Sequence, residues 1–202
     1  MILYWCNHQR RRHLKRRFRG NVWLLFKHIA KNLAFMINPD YKYQIVGELP
    51  RLNNGAILYS CHFGIWEIMP KLLARQGYKM GIITNRYADY NKTCIAKLFD
   101  KLLFKIRSKN GVVVFYKGDI RKIIKFIKEK GIFCTLIDGD ELYSKFQRIK
   151  RLALLTGACL IPFGIFLENG IATLKINCNL EDLIHSRPYD YWWFYKSRSK
   201  GI

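Results

Sequence analysis

From residue 55 onward the spacing of apolar positions switches repeatedly, marking out an alternation of strands and helices. Residues 56–61 form a short apolar run that ends at His62 and reads as a buried strand; residues 66–76 return to helical spacing before Gly77 stops them. Residues 79–84 predict the next strand, 92–106 a helix rich in Leu, Phe and Lys, and 112–115 a β-branched strand after Gly111. Asp119, behind Gly118, is a candidate N-cap for a helix through Glu129 that Gly131 closes. Residues 132–137 are a further buried run leading straight into Asp138-Gly139-Asp140, and a polar loop and a helix over 147–155 follow, ending at Thr156-Gly157. Residues 158–166 and 171–176 then read as strands around Asn169-Gly170, a dipeptide that favours a tight hairpin.

Strands alternating with helices predict an α/β fold with a mainly parallel sheet flanked by helices and an antiparallel hairpin at one edge. A chain of 202 residues, half of them hydrophobic, is long enough to bury one core, and no repeat or linker divides it. Upstream, Val22, Leu25, Phe26, Ile29, Leu33 and Met36 recur at helical spacing, with Lys27, Lys31 and Asn32 largely elsewhere on the wheel. The seven cations of 10–19 (Arg10, Arg11, Arg12, Lys15, Arg16, Arg17, Arg19) stand directly before that stretch. Together they predict a basic arm and a membrane-associating amphipathic helix over 1–40, followed by a compact domain over 41–202.

Lys and Arg number 36 against 14 for Asp and Glu, a formal charge of +22 that would draw in nucleic acid, an anionic bilayer or an acidic partner alike. An aromatic content of 15% and the long apolar runs favour a lipid surface over a protein that only tracks phosphates, and nucleic acid is not the expected partner. Residues 1–5 are too short for a signal segment, and Lys27, His28 and Lys31 interrupt 22–37, so the expectation is a chain that lies on a membrane without crossing it. The six cysteines are dispersed, lack a CxxC pair and have mostly apolar neighbours, which predicts buried free thiols; neither a metal nor another cofactor is expected.

In parallel sheets reactive residues gather beyond the carboxyl ends of strands, and two such ends carry suitable side chains, His62 and Asp138. His62 and Glu67 are five positions apart, a spacing that would put them about 140° apart on a continuous helix. A turn through Phe63-Gly64 instead predicts His62 at the strand exit and Glu67 in the first helical turn, folded back to accept the hydrogen of Nδ1. Gly64 supplies the backbone freedom for such a turn, and Nε2 is left as the acceptor of a general base. A core histidine with a carboxylate partner would give the same spacing. Strand alternation turns Cys61 to the opposite face from His62. Asp138 would either orient a catalytic or substrate group or cap the following turn. Trp192, Trp193 and Tyr195 read as core or interface anchors.

Ser60-Cys61-His62-Phe63-Gly64-Ile65-Trp66-Glu67 resembles the first motif of the bacterial lipid A biosynthesis (late) acyltransferases of the lysophospholipid acyltransferase superfamily, His-Phe-Gly-Asn-Trp-Glu, with Ile65 in place of Asn. Leu136-Ile137-Asp138, Leu152-Ala153, Thr156-Gly157-Ala158 and Ile161-Pro162 are similar to later stretches of that family, and Pro188, Trp193 and Lys196 echo its closing motif. The resemblance implies a glycerolphosphate/lysophospholipid acyltransferase-like fold on the cytoplasmic face of the inner membrane. It implies His62 as general base with Glu67 as its orienting partner, acyl carrier protein as donor and an anionic glycolipid hydroxyl as acceptor. Arg86 falls where the family carries an arginine thought to contact the acceptor's phosphate, and Gly64, Trp66 and Asp138 join it as candidate substrate-binding positions. Gly139 replaces a frequent Gln, a Phe-Phe-Gly segment has no counterpart between Leu142 and Ile149, and no spanning helix is read at the N-terminal side. The competing readings are a non-enzymatic basic module binding nucleic acid or membrane, and a degenerate acyltransferase.

Overall fold

Five parallel strands carry the molecule, and their order decides which loops meet. The computed structural model describes residues 22–37, 41–49, 54–139 and 142–192; the basic run at 10–19 and the Trp193, Tyr195 and Lys196 positions lie outside the described residues. Helix α1 (Val22–Ile37) and strand β1 (Tyr43–Val46) precede β2 (Ala56–Ser60), whose run into His62 matches the predicted strand. After it come a 3-10 turn (Trp66–Ile68), α2 (Met69–Arg75), β3 (Met80–Thr84), α3 (Cys94–Arg107), β4 (Val113–Tyr116), α4 (Ile120–Lys128) and β5 (Ile132–Leu136). Helix α5 (Phe146–Thr156), β6 (Cys159–Glu168), β7 (Ile171–Ile176) and α6 (Leu180–Ser186) complete the α/β alternation.

The seven strands form one sheet in the order β1-β7-β6-β2-β5-β3-β4, parallel throughout except for the β6–β7 hairpin. Alternate side chains of the central strands face two cores. Ala56, Leu58, Ile132 and Cys134 pack with Met69, Leu72 and Leu73 of α2 on one face. Ile57 and Phe133 pack with Ile123, Phe126 and Ile127 of α4 and Ile149 and Leu152 of α5 on the other. Burial on both faces is why these strands read as continuous apolar runs.

Several elements depart from the pattern. The stretch 66–76 divides into the 3-10 turn and α2, because Pro70 at the head of α2 has no amide hydrogen to continue a helix from Trp66. Asp119 stands at the head of α4, but its carboxylate accepts from the Tyr116 amide, 2.9 Å, rather than capping the helix. Strand β1 pairs parallel to β7 and puts the hairpin one strand in from the edge; its residues are mostly exposed, so it has no alternation to read. Of the thiols predicted to be buried, Cys61 and Cys134 are, whereas Cys94 and Cys159 are exposed.

Helix α1 lies against the turn that follows β2. Buried Asn32 donates from Nδ2 to the Gly64 carbonyl at 2.8 Å, and buried Lys71 donates from Nζ to the Met36 carbonyl at 2.9 Å. Of the predicted apolar stripe, Met36 is buried, Ile29 and Leu33 are half-buried against the domain and Phe26 is exposed. Among the described residues no helix is long and apolar enough to cross a membrane.

Candidate active site

Strands β2 and β5 are neighbours in register, with Ser60 opposite Leu136. Two residues further along each chain stand His62 and Asp138, so parallel pairing by itself delivers both to one place at the carboxyl edge of the sheet. Asp138 is fully buried, and it holds the histidine twice: Oδ2 accepts from the His62 backbone amide at 2.8 Å, and Oδ1 lies 2.8 Å from ring Nδ1. A carboxylate at Nδ1 fixes the proton there and leaves Nε2 as the acceptor. Lys145 steadies the other side of Asp138, donating from its amide to the Ile137 carbonyl at 2.9 Å and from Nζ to the Asp138 carbonyl at 2.6 Å.

The expected His62–Glu67 hydrogen bond is therefore corrected. The 3-10 turn directs Glu67 toward the end of α3, where Arg107 takes it in a two-pronged grip: Nε to Oε2 at 3.0 Å and Nη2 to Oε1 at 2.6 Å. The remaining prong, Nη1, donates to Thr84 Oγ at 2.8 Å and ties the pair to the end of β3. Burial alone would push the Glu67 carboxyl up; the Arg107 charge and hydrogen bonds outweigh it and hold the group below its ordinary value, helped by His62 and Lys71. Burial likewise pulls Arg107 down, and Glu67 more than compensates. Lys71, one helical turn beyond Glu67, is pushed down to about 8, mainly by burial, with Glu67 opposing.

Gly64 is where the predicted turn meets its strictest geometric demand. Its φ is +58°, and a Cβ there would run into the Ile165 carbonyl oxygen. Neighbouring backbone locks the turn from both sides: Ile65 donates to the Ile165 carbonyl at 3.1 Å, Gly64 to that of Asp190 at 2.8 Å, and Trp192 to that of His62 at 2.8 Å. The Trp66 ring stands edge-on to the imidazole, centroids 5.1 Å apart, and Trp192 packs on Trp66 at 6.0 Å. Cys61 turns away from the site into a buried cluster with Phe63, Phe166 and Leu183; burial, then the nearby Asp138 charge, push its thiol far up, so it is no nucleophile.

Arg86 follows β3 at the same carboxyl edge, exposed, with its guanidinium 4.1 Å above the Tyr116 ring at the end of β4. Strand β3 is two places from β2, so Arg86 stands about 10 Å or more across the rim from His62. Arg107 and the Trp192 wall were not singled out for the site from sequence. Arg107 is 40 residues from Glu67 and carries no local signal beyond closing a helix, although a buried first-turn carboxylate implies that some cation must meet it.

A buried carboxylate that orients an imidazole at the carboxyl edge of a mainly parallel sheet is a general-base layout, the kind used to activate a hydroxyl. The family described as bacterial lipid A biosynthesis acyltransferase matches residues 27–172, from within α1 to the start of β7, and the chain belongs to that family. No curated protein matches the chain.

Proposed function

We propose that this protein moves a fatty acyl chain from an acyl thioester, carried by acyl carrier protein, to a hydroxyl of a lipid A precursor or related anionic glycolipid. His62 is the general base. The acceptor hydroxyl donates to Nε2, and as its proton passes to the ring the oxygen attacks the thioester carbonyl carbon. The C–S bond then breaks, and the departing sulfur takes the proton back from the imidazolium. Asp138 holds the tautomer throughout and stabilises the transient positive charge; positioned proton transfer of this kind is worth about 10²–10⁴ in rate. No covalent enzyme intermediate is required.

The observation that carries this reading is the double hold of Asp138 on His62, on the ring and on the backbone. Glu67 keeps a place in the machinery, no longer as the group at Nδ1. Its carboxylate contributes negative potential at the imidazole, and its pairing with Arg107 fixes the motif turn against the end of β3. Arg86 is assigned to the acceptor's phosphate, Trp66 to the wall beside the reacting group, and Gly64 to the backbone close to it. The strongly positive chain suits an acidic carrier protein and an anionic bilayer, with the work done at the cytoplasmic face of the inner membrane.

The test is His62→Ala in the full chain, assayed with acyl carrier protein thioester and a phosphorylated glucosamine lipid. Transfer should fall to background while the circular dichroism spectrum and melting temperature stay near those of the unaltered protein. Full transfer by the variant would overturn the mechanism.

A further inference from the structure

Helix α3 buries only Ala96 and Leu103. Its outward arc divides in two. Ile95, Leu98 and Leu102 recur at successive turns and are 67%, 69% and 51% exposed. They fall within an arc of about 60°, and Lys97, Lys101 and Lys105, all exposed, line the neighbouring arc of about 80°. Tyr90, 69% exposed, stands just before the helix. Apolar side chains this exposed, bordered by lysines and an aromatic, are out of place on a face that meets only water.

We infer that this face of α3 rests on an anionic bilayer, with Ile95, Leu98 and Leu102 entering the acyl boundary and the three lysines meeting lipid phosphates. The inference rests on the reading that the acceptor is a membrane lipid, and it names the surface through which the site reaches it. The same helix ends in Arg107, which grips Glu67 beside His62, so a bilayer under α3 lies next to the catalytic edge of the sheet. The exposed lysines complement anionic headgroups, and the chain's overall charge of +22 acts in the same direction. Helix α1, the segment whose periodicity predicted membrane contact, touches α3 but spends Asn32 and Met36 on the domain.

The experiment is flotation of the full chain with phosphatidylcholine vesicles, with and without phosphatidylglycerol, at low and high salt. Leu98→Gln combined with Leu102→Gln should lower partitioning onto anionic vesicles about tenfold or more, while acyl transfer to a detergent-dispersed acceptor persists. Lys97→Glu combined with Lys101→Glu should weaken binding to the phosphatidylglycerol vesicles alone, and most at low salt. This second pair alters only exposed residues and still tests the face should the glutamine pair fold poorly. Unchanged partitioning by both variants overturns the inference. With partitioning unchanged, a loss of acyl carrier protein affinity assigns the face to that partner, and a shift from dimer to monomer in sedimentation assigns it to a second copy. If the unaltered protein floats in an α3-dependent way yet transfers no acyl group, the proposed activity fails and the membrane surface stands.

Discussion

Asp138 spends both carboxylate oxygens on His62, whereas Glu67 spends both on Arg107. The two carboxylates thus do different work within one small region: one fixes a proton at Nδ1, the other neutralises a buried guanidinium. Glu67→Gln should therefore act first on stability. It leaves Arg107 charged in a site where its side chain is 12% exposed, a loss of about 3 kcal/mol in denaturant unfolding. The effect has a pH signature. A carboxyl whose folded value lies below its unfolded 4.5 contributes stability that is complete above 4.5 and is lost as pH falls through the folded value. The unaltered protein should lose stability over that acid range, and Glu67→Gln should follow a flatter curve; parallel curves would remove Glu67 from this role.

At the scale of elements, the turn after β2 is the most constrained feature. The positive φ of Gly64 and the Ile165 carbonyl that a Cβ would strike leave no room for a side chain. Gly64→Ala should cost about 3 kcal/mol or more in denaturant unfolding, and an alanine variant of ordinary stability would contradict the packing described. Elements buried on both sides were legible in the sequence, since β2 and β5 are mostly apolar and carry no charged residue before His62 and Asp138. Strand β1 was not, because an exposed edge strand leaves no periodic mark, and the 66–76 helix was read too long because Pro70 splits a pattern that is apolar on both sides of it. His62 was legible from its place at a strand end. Asp138 was legible as a residue that would orient a catalytic or substrate group or cap a turn; that it rather than Glu67 meets Nδ1 was not, because this depends on pairing between strands more than seventy residues apart in sequence, the Ser60–Leu136 register. With that register, Asp138 follows by counting two residues along each strand.

Across the whole molecule, the candidate site residues gather at one edge of the sheet: His62 beyond β2, Asp138 beyond β5, Arg86 beyond β3, with α1 and α3 flanking the motif turn. A glycolipid acceptor spanning from Arg86 to His62 would bridge about two strand spacings, roughly 10 Å, a distance suited to a phosphorylated sugar lipid presented from a bilayer beside α3. All of this depends on Asp138 being the group that readies the imidazole. The direct measurement is kcat for acyl transfer by the full chain carrying Asp138→Asn, set beside Glu67→Gln at the same pH. The asparagine can keep its contact with the His62 amide, but its NH2 faces Nδ1 and inverts the ring tautomer, so kcat should fall about 10²–10⁴-fold with little change in melting temperature. Full activity in Asp138→Asn, with transfer abolished in a well-folded Glu67→Gln, would contradict the account and return the orienting role to Glu67.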